Sequence, residues 1–388
     1  MVSLYIHIPF CIHRCAYCDF NTYAGQESHI PEYVEALNRE IEIAARSAAG
    51  RLKVHTIFFG GGTPSLLQAE QFESILSKVR EHYDVLGGAE ISLEANPGTV
   101  KRDSLKDLHS LGFNRLSLGV QSAHPEELRQ LERIHDYFDV INAVKWARQA
   151  GFDNLSLDLI FGLPGQSMNR WQATVNLILG LHPDHLSLYA LSVEHGTPFE
   201  HWARRGLMSV PDPDGAADMY EWAGQKLNET GFEQYEISNW AKRGKQCLHN
   251  LQYWRNLPYL GFGAGAHGSA NGLRVSNVLR IKTYIERVKC DPVNSAHPFP
   301  ITPATVHQIN ISKRVEMQET MMTGLRLTRE GVSADGFKGR FGIPLREVFG
   351  REIDDLTGLN LLEWAGPMLH LTKRGRLLGN QVFMRFVD

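Results

Sequence analysis

The sequence predicts an α/β protein, with an incomplete (β/α)6 barrel followed by a smaller, mainly helical domain that resembles a winged helix. In the first half of the chain, six short runs of apolar and β-branched residues alternate with longer amphipathic stretches. This alternation indicates a parallel sheet with right-handed crossovers, and six units suggest a barrel that does not reach the closed eightfold form. After about residue 192 the alternation stops, which indicates a change of architecture. The periodicity alone leaves an open doubly wound sheet as the competing arrangement.

The elements of the barrel follow from two local patterns. Short runs rich in β-branched and apolar residues, such as "VHTIFF" and "LSLDLI", are typical of strands. Longer stretches with apolar residues three or four positions apart are typical of helices that pack on a sheet. We expect strands at 3–8, 54–59, 90–95, 115–120, 155–160 and 185–191. We expect helices at 31–49, 68–82, 101–111, 125–130, 137–150 and 169–180.

The second half of the chain is mainly helical. Helices are predicted at 214–230, 280–289, 312–326, 333–339 and 344–350, and an aromatic and glycine-rich segment at 245–275. The proline-rich residues 290–304 resemble a linker, and the last segment resembles a β-hairpin with its turn near "TKRG". The predicted domains are a barrel at 1–230, a connecting region at 231–302 and a winged-helix-like domain at 303–388.

Composition argues against several classes of protein. With 43% hydrophobic residues, 21% charged residues and a net charge of −3, the 388-residue chain has neither a basic excess nor an acidic tail. No apolar run reaches the roughly 18 residues of a membrane span, and the N-terminus does not resemble a signal peptide. Five cysteines, three of them clustered, argue against a disulfide framework. We therefore expect a cytoplasmic protein with no transmembrane segment and no nucleic-acid partner.

Three of the five cysteines lie within eight residues, in "CIHRCAYC", directly after the first predicted strand. Cys11, Cys15 and Cys18 have the spacing C-x3-C-x2-C, which can place thiolates at three corners of an iron–sulfur cubane and leave one iron open. One alternative is zinc, which needs a fourth ligand such as His7 or His13. The other is three unligated thiols in a packed loop. This spacing favours the iron–sulfur cluster.

Polar and glycine residues lie where the predicted strands end. "FFGGGTPS" (58–65) is a strand that ends in three glycines, where the backbone can approach a ligand closely. No G-K-[ST] follows, so this segment is not a phosphate loop. Glu94, Gln121 and Asp158 lie at or near the ends of three further strands. Each alone is more often a loop or cap residue, but the carboxyl ends of barrel strands form the active face, so together they predict one site.

Taken together, these motifs resemble the radical S-adenosylmethionine (radical SAM) superfamily. "YIHIPFC", "GGGTPS", "GVQS" and "DLIFGLPGQ" are similar to the branch that contains the oxygen-independent coproporphyrinogen III oxidases and their haem-chaperone relatives. The resemblance covers essentially the whole chain. It implies a [4Fe–4S] cluster held by Cys11, Cys15 and Cys18, with S-adenosylmethionine (SAM) bound to the open iron through its amino and carboxylate groups.

The same resemblance implies the residues that contact SAM. They are Tyr5, Tyr17, Gly61, Gly62, Thr63, Glu94, Gln121, Arg133, Asp158, Ala190 and His267. The acids suit the ribose hydroxyls or the ammonium group, and Arg133 suits a carboxylate. The resemblance assigns no catalytic residue and leaves open whether SAM is cleaved or only bound.

Two departures separate this chain from the oxidases. The oxidases carry a further cysteine two residues after the third cluster ligand, where this chain has Phe20. They also have a longer arm before the cluster motif, where this chain has ten residues. Both departures favour the haem chaperones.

"HNLQYW" (249–254) matches the H-N-x-x-Y-W motif of the haem chaperones. It comprises His249, Asn250, Tyr253 and Trp254, and offers an imidazole as axial haem ligand with two flat aromatic faces.

The resemblance implies a protein that binds haem and delivers it to acceptor haemoproteins, including membrane-bound respiratory enzymes. It would work as a monomer or homodimer in the cytoplasm or at the membrane periphery. The competing hypotheses are oxidative decarboxylation of coproporphyrinogen III and another radical SAM reaction.

Overall fold

The structure is a computed structural model that describes residues 1–210, 212–292 and 295–387. Its strands are β1 (Val2–Ile8), β2 (Phe10–Cys11), β3 (Tyr23–Ala24), β4 (Lys53–Gly61), β5 (Asp84–Ala95), β6 (Arg115–Gln121), β7 (Leu155–Phe161), β8 (His185–Ala190), β9 (Glu233–Glu236), β10 (Asn239–Ala241), β11 (Tyr259–Phe262), β12 (His267–Ala270), β13 (Leu273–Asn277), β14 (Thr305–Asn310), β15 (Val332–Ser333), β16 (Leu362–Ala365) and β17 (Met368–Leu371). Its α-helices are α1 (Ile30–Ser47), α2 (Ala69–His82), α3 (Arg102–Ser110), α4 (Pro125–Gln130), α5 (Tyr137–Ala150), α6 (Met168–Leu179), α7 (Pro198–Arg204), α8 (Pro213–Glu229), α9 (Leu248–Trp254), α10 (Ile281–Cys290), α11 (Lys313–Gly324), α12 (Ala334–Phe341), α13 (Leu345–Gly358), α14 (Lys373–Leu377) and α15 (Gly379–Phe383).

The chain forms two compact units, and both are discontinuous in sequence. The first comprises Met1–Ala223 and Pro258–Ile309, and the second comprises Gly224–Leu257 and the chain from Asn310 onward. The boundaries predicted from the sequence divide the chain into consecutive segments instead, and they stay predictions. Among the described residues, no helix combines the length and the apolar character that crossing a bilayer requires.

Six parallel strands form the barrel of the first unit. They are neighbours in the order β1, β4, β5, β6, β7 and β8, and helices lie between them in the chain. All six predicted strands are present, and β1 and β8 are not paired with each other, so among the described residues the barrel does not close. This arrangement confirms the predicted incomplete (β/α)6 barrel. The main difference is β5, which begins at Asp84, six residues before the predicted start.

The sheet continues beyond β1 in a way that the sequence did not reveal. The strand β11 pairs with β1 in parallel, and β12 and β13 follow as antiparallel neighbours, with β14 at the edge. The strands β11 and β12 and most of β13 lie in the segment 245–275, which the sequence describes only as aromatic and glycine-rich.

Aromatic side chains fill the core between the sheet and its helices. Phe59 of β4, Phe72 of α2 and Phe113 have ring centroids 5.2–5.3 Å apart, and each ring is at most 1% exposed. Burying a side chain of this size contributes about 1.5–3 kcal/mol. Packing of this kind gives the strand ends a rigid base.

A buried carboxylate, that of Glu40 on α1, joins the segment after β11 to the barrel. It accepts four hydrogen bonds, from the Gly263 amide (2.8 Å), the Asn277 side chain (2.7 Å), the Tyr284 hydroxyl (2.7 Å) and the Thr302 hydroxyl (2.9 Å). Burial raises the pKa of Glu40, and the four donors oppose that shift. The network fixes four segments of the chain to one side chain.

The predicted linker at 290–304 is packed at its end. Thr302 and Ala304 are 5% and 0% exposed, and the segment connects α10 to β14 of the sheet. Val293 and Asn294, which belong to the same predicted linker, lie outside the described residues.

The second unit contains the winged-helix-like domain. Its apolar core joins helices and strands through Met321, Leu325, Phe337, Phe349, Ile353, Leu362, Leu369 and Leu371. The strands β15, β17 and β16 form a three-stranded antiparallel sheet. The helices α11, α12 and α13 with this small antiparallel sheet confirm the predicted winged-helix-like fold of the domain.

The turn of the terminal hairpin lies earlier than the sequence suggested. Ala365 pairs with Met368, so the turn is at Gly366 and Pro367, with Gly366 at φ 60°. The predicted turn near "TKRG" is wrong, because the Thr372 hydroxyl accepts a hydrogen bond from the Gly375 amide (2.9 Å) and caps α14.

Candidate functional site

A cavity of about 520 Å³ lies at the carboxyl ends of the barrel strands. Its walls come from the loop after β2 and from the ends of β4 to β8. It is lined by all but two of the residues that the resemblance implies for the cluster and SAM, namely Cys11, Cys15, Cys18, Tyr17, Gly61, Gly62, Thr63, Glu94, Gln121, Arg133, Asp158 and Ala190. The strand order thus brings together residues that are up to 179 positions apart in the chain.

The two exceptions are Tyr5 and His267. The Nε2 of His7 donates to the Asn21 carbonyl (3.0 Å), so its Nδ1 accepts from the Tyr5 hydroxyl (2.9 Å). Tyr5 therefore contacts the segment 12–22 between β2 and β3 (the cysteine loop) through His7, and it does not line the cavity. His267 is exposed on β12, also away from the cavity lining. For both residues, contact with SAM stays a prediction.

All three thiols have a hydrogen-bonding neighbour, and Cys18 Sγ lies 4.0 Å from the Thr22 hydroxyl. Cys11 ends β2 and is buried, and a turn closed by the Cys18 amide and the Cys15 carbonyl (3.2 Å) brings the other two thiols back. The Thr63 hydroxyl donates to Cys11 Sγ (3.6 Å), and Arg133 Nη1 donates to Cys15 Sγ (3.4 Å). Donors and a positive charge at sulfur stabilise the thiolate form that a metal site requires.

The glycines at the end of β4 let the end of β1 and the start of β2 pack closely against this strand. The Gly62 amide donates to the Ile8 carbonyl at 2.8 Å. A Cβ atom on Gly61, whose φ is +112°, would lie 2.4 Å from the His7 ring, and one on Gly62 would lie 2.6 Å from the Phe10 carbonyl oxygen. Larger residues would push these segments of β1 and β2 away. The glycine run therefore serves the approach of one backbone to another, as well as lining the cavity.

The donor set fits an iron–sulfur cluster better than zinc. His7 is hydrogen-bonded through both ring nitrogens, and His13 lies 3.3 Å from a Glu132 carboxylate oxygen, so the two candidates for a fourth zinc ligand are engaged elsewhere. Among the described residues, no three His, Cys, Asp or Glu side chains converge as one metal ion requires. A cubane makes a different demand, since each of its cysteines binds a different iron.

Two carboxylates share the inner part of the cavity. Glu94 Oε2 accepts from the Gly61 amide at 3.1 Å. Burial and the neighbouring charge of Asp158 raise the pKa of Glu94 to about 7, and burial also raises the pKa of Asp158. Two buried acids whose charges act on each other attract a cation or hydroxyl donors.

Serine hydroxyls from three strands hold Asp158, and the sequence reasoning missed them. Ser117 on β6 donates to both carboxylate oxygens (3.1 and 2.9 Å), and Ser156 on β7 donates to Oδ1 (3.0 Å). A hydrogen bond from Ser187 on β8 also lowers the pKa of Asp158 against the effect of burial. Asp158 is therefore fixed in orientation before any ligand arrives.

A repeated pattern in the sequence could have identified these serines. The strands read "ISL", "LSL", "LSL" and "LSL" around Ser92, Ser117, Ser156 and Ser187. A small hydroxyl residue between two large apolar residues puts a polar group on one face of each strand. The pattern recurs in four neighbouring strands, which indicates a polar interior beneath the strand ends.

Unpaired polar atoms mark where a ligand would bind. Gln121 has a φ of 69°, which is strained for a residue with a side chain, and its buried Oε1 has no hydrogen-bond partner among the described residues. Arg133 Nη2 donates to the Gly119 carbonyl (2.6 Å), while its buried Nε has no partner there. A bound molecule with amino and carboxylate groups would satisfy these atoms.

The raised pKa of Glu94 predicts a pH dependence of stability. Since its pKa rises from 4.5 to about 7 on folding, the folded state binds more protons between these values, and the free energy of unfolding falls as pH rises through this window. From pH 5 to pH 8, the wild type should lose roughly 2–3 kcal/mol relative to Glu94→Gln, measured by denaturant unfolding. The control is Glu73→Gln, an exposed glutamate of α2. If the free energy of unfolding changed with pH in the same way for wild type and Glu94→Gln, the raised pKa of Glu94 would be contradicted.

The predicted haem residues lie in the second unit, on α9. His249 is 0% exposed, and its Nε2 lies 2.8 Å from the Tyr253 hydroxyl, with the two rings edge to face. Trp254 is half-buried, and the Arg326 guanidinium lies over its ring at 4.4 Å. Asn250 is half-buried one residue after His249. The motif is therefore packed, and the histidine is not exposed to solvent.

Comparisons with known proteins agree with this architecture. Residues 5–178 match the family model of the Radical SAM superfamily, and residues 311–378 match that of the HemN C-terminal domain. Among solved structures, the one titled "Coproporphyrinogen III oxidase (HemN) from Escherichia coli is a Radical SAM enzyme" has a TM-score of 0.83 and 25% identity, covering 99% of this chain and 89% of that chain.

Relatives of high similarity include two proteins with the same name. "Heme chaperone HemW" of Bacillus subtilis (strain 168) is 39% identical over 388 residues, covering 100% of this chain and 99% of that protein. "Heme chaperone HemW" of Escherichia coli (strain K12) is 44% identical over 269 residues, covering 69% of this chain and 70% of that protein. Similarity at this level along the whole length shows that the chain belongs to the HemW family of the radical SAM superfamily.

Proposed function

We propose that the chain is a haem chaperone, which binds haem and delivers it to acceptor haemoproteins. The observation that carries this proposal is the 39% sequence identity over the full length to a protein named as a haem chaperone. The proposal includes a [4Fe–4S] cluster and SAM as cofactors of the first unit. We infer that it acts in the cytoplasm, and that its acceptors include membrane-bound respiratory enzymes.

The cavity of the first unit supports the cofactor part of the proposal. Cys11, Cys15 and Cys18 would hold the cluster, and its open iron would bind the amino and carboxylate groups of SAM. Arg133 stabilises a thiolate at Cys15 and presents its buried Nε toward an anionic group. Asp158, already fixed by serine hydroxyls, would accept hydrogen bonds from the ribose or the ammonium group.

A second candidate function is the anaerobic oxidation of coproporphyrinogen III. The similarity of fold to an enzyme titled as that oxidase favours it. The cavity lining counts against it, because Phe20 lies there, 63% exposed, at the position where the oxidases carry a further cysteine. A phenylalanine supplies an apolar surface in place of a thiol.

The haem part of the proposal predicts a role for His249. Axial ligation through Nε2 requires the bond to the Tyr253 hydroxyl to break. Haem titration followed in the Soret band should show weaker binding or a changed spectrum for His249→Ala. Tyr253→Phe, which frees Nε2 and keeps an aromatic face, should bind haem at least as tightly as wild type. A wild type that does not bind haem would refute the proposed function, and an unchanged titration of His249→Ala would remove this residue from the site.

A further inference from the structure

We propose that Arg326 is the specificity-determining residue of the haem site, where it binds a carboxylate of the ligand. Haem carries two propionate carboxylates, and a guanidinium is the side chain best suited to a planar carboxylate. The inference rests on the proposed haem binding. It adds an identified anion-binding group, next to the aromatic motif, that the motif itself does not contain.

Arg326 lies against the haem motif within the second unit. It follows α11, and its guanidinium carbon is 4.4 Å from the Trp254 ring centroid and 5.8 Å from that of Phe383. Stacking on two aromatic rings holds a guanidinium in place while leaving the edges that carry its N–H groups for hydrogen bonding. The side chain is 25% exposed, so part of it is accessible from solvent.

The neighbouring arginines have their charge and donors engaged. Arg255 makes a bidentate pair with Glu330, at 2.9 and 2.5 Å. Arg340 donates twice to a Glu316 carboxylate oxygen, at 3.1 and 2.6 Å. A ligand carboxylate would have to displace a protein carboxylate at either of these positions. Neither arginine is therefore suited to receive one.

Arg326 differs from both of these neighbours. Its closest described carboxylate oxygen, Glu236 Oε2, is 3.9 Å from Nη2, which is too far for a hydrogen bond. Its buried Nε has no partner among the described residues, and neither has the indole Nε1 of Trp254. Two unsatisfied N–H donors beside a haem motif are what an arriving carboxylate would satisfy.

Glu236 explains why the Arg326 guanidinium stays beside Trp254 while its N–H donors are not all hydrogen-bonded. Its Oε1 accepts from the Ser238 amide (3.0 Å) and from the Asn239 side chain, while Oε2 has no hydrogen-bond partner among the described residues. Burial raises the pKa of Glu236, and Arg326 lowers it. The buried acid thus attracts Arg326 by charge and leaves its donors available.

The alternative is that Arg326 only supports the Trp254 ring. The two roles differ in what the ligand must carry, because support of the ring would matter equally for a porphyrin with and without carboxylates. Haem dimethyl ester, whose propionates are blocked, separates them. The matched control is Arg255→Gln, which changes an arginine that also adjoins Trp254 but is saturated by Glu330.

The test is a titration of the full chain with haem and with haem dimethyl ester. We expect wild type to bind haem about tenfold more tightly than the ester, and Arg326→Gln to bind haem only as tightly as the ester, with ester binding unchanged. Arg255→Gln should keep the wild-type preference. Arg326→Lys, which retains the charge beside Glu236, should lose most of the preference while ester binding reports an intact fold.

The outcomes separate this inference from the function on which it rests. The role of Arg326 would be overturned if Arg326→Gln weakened the binding of haem and of the ester equally, or if wild type bound the two ligands equally well. Haem binding itself would still stand in either case. A wild type that binds neither ligand would overturn the proposed function, and the assignment of Arg326 with it.

Discussion

Replacement of Cys15 with serine should remove most of the iron and sulfide that the wild type holds. After anaerobic reconstitution, wild type should contain about four iron and four sulfide per chain, since three thiolates can hold a cubane with one open iron. Cys15 Sγ accepts a hydrogen bond from Arg133 Nη1 at 3.4 Å. Without the Cys15 thiol, only two cluster ligands remain. Iron and sulfide analysis with the visible absorbance spectrum measures the loss. SAM binding should be lost with the cluster, because the open iron contributes to that affinity.

The control for this prediction is Cys290→Ser. Cys290 is an exposed thiol at the end of α10, and it does not line the cavity. Its replacement should leave iron, sulfide and absorbance unchanged. Stoichiometric zinc without sulfide in the wild type would refute the assignment of the three cysteines.

Asp158→Asn should weaken SAM binding to the reconstituted protein by roughly 10- to 100-fold. The substitution keeps the volume and removes the charge, and a ligand donor left without its acceptor costs about 1–3 kcal/mol. Ser117→Ala should weaken binding by a smaller factor, because Asp158 keeps the hydroxyl of Ser156 after losing that of Ser117. Equilibrium binding by isothermal titration calorimetry under anaerobic conditions measures both effects.

Ser92→Ala is the matched control for the serine variant. Ser92 is the serine of the same sequence pattern in β5, is 1% exposed, and its hydroxyl has no hydrogen-bond partner among the described residues. Its removal should therefore leave SAM affinity unchanged. If Ser92→Ala and Ser117→Ala change SAM affinity by the same factor, the hydrogen bond from Ser117 to Asp158 does not contribute to SAM binding. If Asp158→Asn binds SAM normally, the site is misplaced.

The barrel was predictable because each of its strands carries a local signal. Runs such as "VHTIFF" and "LSLDLI" lie between amphipathic helices, and the helix at 137–150 has the predicted bounds. The strands β11 to β13 carry a weaker signal, since they have only four or five residues each. The pairing of β11 with β1 joins positions about 256 residues apart, which no local pattern encodes.

The site was predictable to the extent that motifs identified its residues. Resemblance named Glu94, Gln121 and Asp158, and the parallel order of the strands explains why they meet. The resemblance could not show that Tyr5 contacts the cysteine loop through His7. Burial of His249 follows from packing within the second unit, which the six letters of its motif do not specify.

In the proposed function, a radical SAM scaffold serves to carry haem. The most direct test is product analysis after anaerobic incubation of the reconstituted, haem-loaded protein with coproporphyrinogen III, SAM and a reductant. The proposed function predicts that coproporphyrinogen III is recovered unchanged, while haem stays bound until an acceptor apoprotein is added. Formation of a vinyl-bearing porphyrin product in proportion to the enzyme present would contradict it and favour the oxidase.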